Sequence, residues 1–317
     1  MSEQTNDKQL MCLIVDDACP GYNPSFFHLA GQGHPKLIPG DLIHRVADLF
    51  DEFGAMGKFS LIPYPLGQGR IDRHVRGVWD EVVQDFVETV RERVAARFDI
   101  TPEILTHWNA VDLENTERLL QEREDAYFAR IDCATMTDYI ALSLEILRNV
   151  GIDANGVTSP WSLGREREES YIRAILEAQK RVHGRDKTWY FLHIDLKSAP
   201  LGHRVVYRGD GGEWVVSIVS GGADFIWETQ DGKPPRADDL LSQDGQTGRL
   251  AELARSGSPI AFHTHWQSIY SSGSRAGLEG LRELFRRINE HMGGRYRWAR
   301  CSELAARIAA QETGRAA

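Results

Sequence analysis

At 317 residues the chain is long enough for one large α/β domain or two ordinary ones. Hydrophobic residues make up 42% and charged residues 26% of it, which excludes a disordered or fibrous protein. The 46 acidic residues outnumber the 37 lysines and arginines for a formal charge of −9, which argues against nucleic acid or an anionic membrane surface as partner.

The four cysteines, Cys12, Cys19, Cys133 and Cys301, form no Cys-x-x-Cys pair and are too sparse for a disulfide framework, so a reducing compartment is expected. The start, Met1 to Gln9, is polar and lacks the apolar core of a signal peptide. No later segment approaches the ~18 apolar residues of a membrane span, and a cytoplasmic location is the expectation.

From Met11 onward, short apolar runs alternate with amphipathic stretches, the rhythm of βα units around a parallel sheet. Met11 to Val15 reads as a buried strand, and Leu42 to Phe53 places its apolar residues on one helical face. Lys58 to Ile62 is a second strand, stopped by Pro63 and Pro65, and Val75 to Phe98 carries valines at helical spacing. Ile104 to Trp108 reads as a third strand and, after a polar connection, Thr137 to Val150 as a helix closed by Gly151. Asn155 to Trp161 is a fourth strand candidate, followed by a charged helix from Arg165 to Arg181. Trp189 to Asp195, His203 to Tyr207, Trp214 to Val219 and Asp224 to Trp227 form a strand-rich segment with an inserted hairpin, separated by turn signals. Pro259 to Thr264 is a late strand, Leu278 to His291 a helix, and Tyr296 to Cys301 a closing strand before a last helix from Ser302. With no repeat or linker, residues 1–317 read as a single domain.

Parallel βα folds gather their chemistry where strands end, and the strand ends here are rich in it. Asp16-Asp17 follows strand one, His107-Trp108 strand three, Pro160-Trp161 strand four, and His263-Thr264-His265-Trp266 the late strand. Adjacent aspartates leaving a strand point in roughly opposite directions, so one can hold a metal while the other accepts a proton from water. His263 and His265, two apart, project to one face if the strand persists, as two ligands of zinc would. His193-Ile194-Asp195 repeats that alternation and reads as structural. Trp108, Trp161, Trp227 and Trp266 stand beside these ends, where aromatic faces suit stacking on sugar rings. Each residue has a plainer reading, as a turn aspartate, a core histidine or a core tryptophan.

The order of these motifs resembles the polysaccharide deacetylase (NodB-homology) superfamily, over roughly Met11 to Ala309. Leu13-Ile14-Val15-Asp16-Asp17 is similar to its first motif, Ile104-Leu105-Thr106-His107 to its second, Thr158-Ser159-Pro160-Trp161 to its third and Ile260-Ala261-Phe262-His263-Thr264-His265 to its fifth. Asp224-Phe225-Ile226-Trp227 faintly echoes the fourth. The resemblance implies an irregular (β/α) barrel of about seven parallel strands and a metal-dependent hydrolase removing an acyl group from a carbohydrate-like substrate. It implies Asp16 as general base, Asp17 and His107 as ligands of a divalent metal such as zinc, and His265 or His263 as general acid. Two family positions differ: Val111 stands where a second metal-binding histidine is expected, and Thr158 where an arginine orients the catalytic aspartate. The leading assignment has His265 as the acid and His263 as the third ligand, with Asp112 or water as the other choices. Trp108, Pro160, Trp161, Trp227 and Trp266 are the expected substrate contacts. Other readings are a glycoside hydrolase of the same superfold working without metal, an amidohydrolase barrel, and a silent sugar-binding protein. The amidohydrolase reading ranks lower because its His-x-His sits on the first strand.

Overall fold

The computed structural model describes residues 8–29 and 31–315, so most of the polar start lies outside the described residues. Eleven strands occur among them: β1 (Gln9–Ala18), β2 (Gly57–Leu61), β3 (Phe98–Pro102), β4 (Asn109–Asp112), β5 (Asn115–Arg123), β6 (Val157–Thr158), β7 (Lys187–Ile194), β8 (Arg204–Arg208), β9 (Trp214–Ser220), β10 (Ile260–His265) and β11 (Tyr296–Trp298). One parallel sheet runs β10-β1-β2-β3, with β11 joining the start of β1, and a second runs β6-β7-β9 in parallel with β8 antiparallel at its edge. A parallel bridge between Glu103 and Thr158 links β3 to β6, and the Gly221 amide donates to the Ala261 carbonyl at 2.7 Å to link β9 to β10. Seven parallel strands therefore close in the order β10-β1-β2-β3-β6-β7-β9, an irregular (β/α) barrel.

Alternation along β1 shows which side is which. Met11, Leu13 and Val15 pack outward with Leu42, Val46 and Phe50 of the helix Leu42–Phe53 and Phe285 of the helix Ala276–His291. Leu10, Cys12 and Ile14 turn inward, where they meet Trp189, Phe191, Val216, Ile218 and Ala261. The final helix, Cys301–Arg315, covers this cluster with Leu304, Ala305 and Ile308. The same period of two carries Asp16 inward above Ile14. Register does the same for its neighbours, since Ile14 pairs with both Lys58 and His263 and Asp16 pairs with His265.

Several expected elements shift, each for a physical reason. The helix expected from Val75 to Phe98 is confined to Asp80–Glu92, because a 3-10 turn at Val94–Ala96 breaks it and Phe98 opens β3. The third strand is therefore Phe98–Pro102, and Ile104 to Trp108 is an irregular loop with left-handed φ of 31° at Ile104 and 53° at His107. The polar connection after it forms the antiparallel hairpin β4–β5, which the sequence reading leaves unassigned. Asp224 to Trp227 is not a strand: Trp227–Asp231 is a 3-10 helix, and Asp224 sits in the loop before it. The inserted hairpin is found as β8–β9.

Gly57 makes the closest approach in the barrel. A Cβ there would lie 1.7 Å from the Leu13 carbonyl oxygen, inside the β1–β2 pairing. Gly57→Ala should cost about 4 kcal/mol or more in denaturant unfolding, whereas Gly202→Ala, with nothing within 4 Å, should change stability by less than about 0.5 kcal/mol. Equal effects would show that the β1–β2 contact is looser than described.

Candidate active site

The C-terminal ends of the strands surround a cavity of 350 Å³ whose lining includes Asp16, Asp17, His107, His263 and His265. Asp16 and Asp17 do not diverge as an uninterrupted strand would require. The β1–β2 register slips between Val15 and Ala18, and Asp17 adopts a left-handed φ of 67°, so both carboxylates face the cavity. Aspartate tolerates that conformation better than most residues.

Asp17 is the hub of one half of the site. Its Oδ1 lies 3.0 Å from His107 Nε2, and its Oδ2 accepts from Gln267 Nε2 at 2.5 Å. Glu103, one residue beyond β3, accepts from the Asp17 amide at 2.6 Å and stands 3.5 Å from the same histidine nitrogen. Ligand atoms of Asp17, Glu103 and His107 fall within 4.8 Å of one another, and all three residues are buried. His263 and Asp112 lie outside this triad. The Nδ1 of His263 is engaged by Ser220 Oγ at 2.8 Å, and Asp112 is paired with Arg118 on the β4–β5 hairpin. The carboxylate that joins Asp17 and His107 is Glu103, four residues before His107, a pairing the sequence reading does not make because its third strand starts six residues late.

Buried Glu124 sets the loop that presents His107. Its carboxylate accepts from the amides of Leu105, Thr106 and His107 at 2.8–3.2 Å and from the Tyr139 hydroxyl at 2.8 Å. These bonds hold the two left-handed residues of the loop in place. Beyond His107 lies His28, from the short helix Pro24–His28, with its Nε2 2.7 Å from His107 Nδ1. The His28 ring packs against Trp108 and Trp161 at 5.3 and 5.1 Å.

The other half is organised by Asp224. Its Oδ2 meets His265 Nδ1 at 2.8 Å and accepts from Ser268 Oγ at 2.7 Å, while its Oδ1 accepts from Thr264 Oγ1 at 3.1 Å. Burial opposes charge on His265, but the Asp224 bond and the nearby Asp17 outweigh it and hold the imidazole up at about 10. His263 behaves oppositely, because burial and the charge of His265 lower it to about 4. On the Asp17 side, burial would lower His107, yet Asp17 and Glu103 raise it to about 9. Glu103 is itself pushed up by burial and by Asp17 and Asp16. Burial and the neighbouring His107 lower His28 to about 3, so its ring is neutral.

Lys58 carries the balancing charge. It has no exposed surface, and its Nζ donates to Asp16 Oδ1 and, at 2.7 Å, to Thr158 Oγ1. Thr158 in turn meets Thr101 Oγ1 at 2.8 Å. The position where an arginine is expected thus holds a threonine on β6 that steadies a lysine of β2, across the intervening β3. The decoy His193 is engaged by Glu168 at 2.6 Å, outside the acid cluster. Trp161 and Trp227 line the cavity, whereas Trp266 is 1% exposed and wedged against Phe59 and Phe86, a core residue and not a substrate contact. Trp108 and Pro160 are not among the lining residues, and Trp108 packs against His28.

Removing one member of a buried ion pair strands the other, at a cost of roughly 3–5 kcal/mol. Lys58→Met should lose that much stability in chemical denaturation, and adding Asp16→Asn should restore part of it. A double mutant less stable than Lys58→Met alone would show that the two residues are not paired.

No family model and no curated protein matches the chain. Solved structures do. The chain superposes on an allantoinase, PuuE, with a TM-score of 0.55 at 11% identity, covering 96% of this chain and 91% of that one. It superposes on a probable polysaccharide deacetylase from Pseudomonas aeruginosa PAO1 with a TM-score of 0.54 at 10% identity, covering 95% and 91%. Over nearly its whole length, the chain shares the fold of these two solved structures.

Proposed function

We propose that the protein is a metal-dependent hydrolase that cleaves an acyl carbon–nitrogen bond in the manner of a deacetylase. The observation that carries this reading is the buried triad of Asp17, Glu103 and His107, set between Asp16 and an imidazole held protonated. Two carboxylates and one imidazole suit zinc or another first-row divalent ion, and three protein ligands leave coordination positions open, as a catalytic centre requires. The local charge fits as well. His107 is driven to hold a proton up to about 9 beside the paired acids, and a cation among them would take over that role. His28, a neutral acceptor behind His107, would fix the orientation of that ligand.

A divalent ion held there would polarise the acyl carbonyl and make a bound water more acidic. The protein's own groups move the protons. Asp16, fixed against Lys58, accepts the proton of the attacking water. With Nδ1 committed to Asp224, His265 presents Nε2 and gives its proton to the departing nitrogen as the carbon–nitrogen bond breaks. Water and the amide are consumed, and a carboxylic acid and an amine are formed. The deacetylase resemblance favours an acylated sugar as the substrate class.

Metal content measured by atomic emission tests the ligand assignment. Asp17→Ala and Glu103→Ala should each lose bound metal, whereas His263→Ala should retain it, since a true ligand is worth more than the ~10–100-fold of an outer-shell partner. Metal lost from His263→Ala but kept by Glu103→Ala reverses the choice of third ligand. Asp16→Asn should keep the metal and lose turnover.

A second test concerns pH. The acid must be protonated to act, so activity should fall as pH rises through the value set by Asp224. Asp224→Asn removes the interaction that holds His265 up, and the alkaline limb of the kcat profile should move to lower pH. An alkaline limb at the parent position would remove His265 from the role of acid.

A further inference from the structure

The cavity has a polar floor and an apolar wall. The floor is the acid and imidazole cluster at the strand ends, and above it rise Leu29, Trp161, Phe191, Leu192, Ile194 and Trp227. No lysine or arginine lines it. Two wall hydroxyls reach the cavity, and both are already engaged: Ser25 Oγ donates to Gln230 Oε1 at 2.6 Å, and Ser159 Oγ meets the Tyr171 hydroxyl at 2.8 Å. Gln267 gives its Nε2 to Asp17, and its Oε1 is buried away from the cavity surface.

A sugar ring brings several hydroxyls that must exchange water for protein partners, and a wall offering only the spare lone pairs of two engaged serines would leave most of them unsatisfied. Nor does the wall offer the row of aromatic platforms expected from the sequence. Trp266 is buried, Trp108 packs on His28, and the Trp161 ring is engaged by the Arg123 guanidinium at 4.0 Å and by His107 at 4.5 Å. Trp227 is left. The rim carries exposed aliphatic residues instead: Ile194 is 51% exposed at the cavity edge, and Leu196, two residues on, is 49% exposed. At 350 Å³ the space is at the small end of ligand sites.

We infer that the substrate is a small, uncharged amide carrying an aromatic or alkyl group, which lies against the Leu192–Ile194–Trp227 wall, and not a sugar chain. This rests on the hydrolase reading for the bond that is cut, and it replaces the acylated sugar that the family likeness favours.

Ligand-detected NMR titration of the full-length protein, metal-loaded and metal-free, tests it with three probes: acetohydroxamate, benzohydroxamate and triacetylchitotriose. The two hydroxamates share one chelating group and differ in the apolar part. Benzohydroxamate should bind about tenfold or more tightly than acetohydroxamate, triacetylchitotriose should not compete at millimolar concentration, and Ile194→Asp should shrink the preference. Ile194 is exposed, so this variant leaves the core intact. Hydroxamates bound within twofold of each other, or triacetylchitotriose bound as tightly as benzohydroxamate, overturn the inference. A benzohydroxamate preference that is the same with and without metal supports the apolar wall while counting against the metal hydrolase. No binding by either hydroxamate in either state overturns both.

Discussion

The barrel mouth is organised by one constraint: the side chains of Asp16, Asp17, Glu103, Glu124 and Asp224 are all buried there, and Lys58 is the lysine set among them. An unpaired ion in such a place is costly, and the protein answers in two ways. Asp16 receives the lysine directly. Each of the other carboxylates is given an imidazole, backbone amides or hydroxyls, so that Glu124 takes three amides and a tyrosine, while Asp224 takes His265, Ser268 and Thr264. Lys58 can do this only because β2 places it opposite Ile14, one step below Asp16 on the inward face. Thr158 then reaches it from β6, across a seam where an isolated bridge joins the two sheets.

The same crowding gives the histidines different tasks. Both His107 and His265 touch a carboxylate, and both are raised, yet their surroundings differ in what they leave open. Around His107, a second carboxylate converges on the same ring nitrogen, so the proton there is in the position a metal ion would take. Around His265, the carboxylate holds Nδ1 and leaves the other nitrogen toward the cavity, the arrangement of a proton donor. His263, 5.3 Å from His265 by ring centroid, is kept neutral by its burial and then by that neighbour's charge. One strand, β10, thus carries two imidazoles of opposite charge preference two residues apart.

Much of this was legible in the sequence, and the failures have identifiable causes. Asp16, Asp17, His107, His263 and His265 could be placed at strand ends because apolar runs stop where they begin, and the structure brings all five to one cavity. Glu103 escaped because Val90, Val94 and Phe98 continue the four-residue spacing of the preceding helix straight into β3, and periodicity alone cannot mark where a helix hands over to a buried strand. The strand was then set too late and Glu103 fell inside the connection, though Glu-x-x-x-His was visible. Lys58 sat in a run read correctly as a strand, but its role depends on register with β1, a long-range property. Trp266 was misplaced for a related reason. It follows His265 directly, yet a helix begins at that residue and turns the ring away from the mouth into the core.

Floor and wall have different origins in the chain, and this bears on selectivity. The floor is built by strand ends whose register fixes Asp16 beside His265 and Ile14 beside Lys58, so the chemistry is inherited with the barrel. The wall comes partly from the end of the barrel strand β7 and partly from segments the barrel does not constrain, the turn after the helix Pro24–His28 and the 3-10 helix at Trp227. Loops of this kind vary without disturbing the scaffold. An allantoinase and a probable polysaccharide deacetylase share this barrel, so the barrel does not choose the substrate. On the proposed reading the choice would fall to Leu192, Ile194 and Trp227, since an apolar wall above a charged floor would favour a molecule that can shed water from one end and present a polar bond at the other.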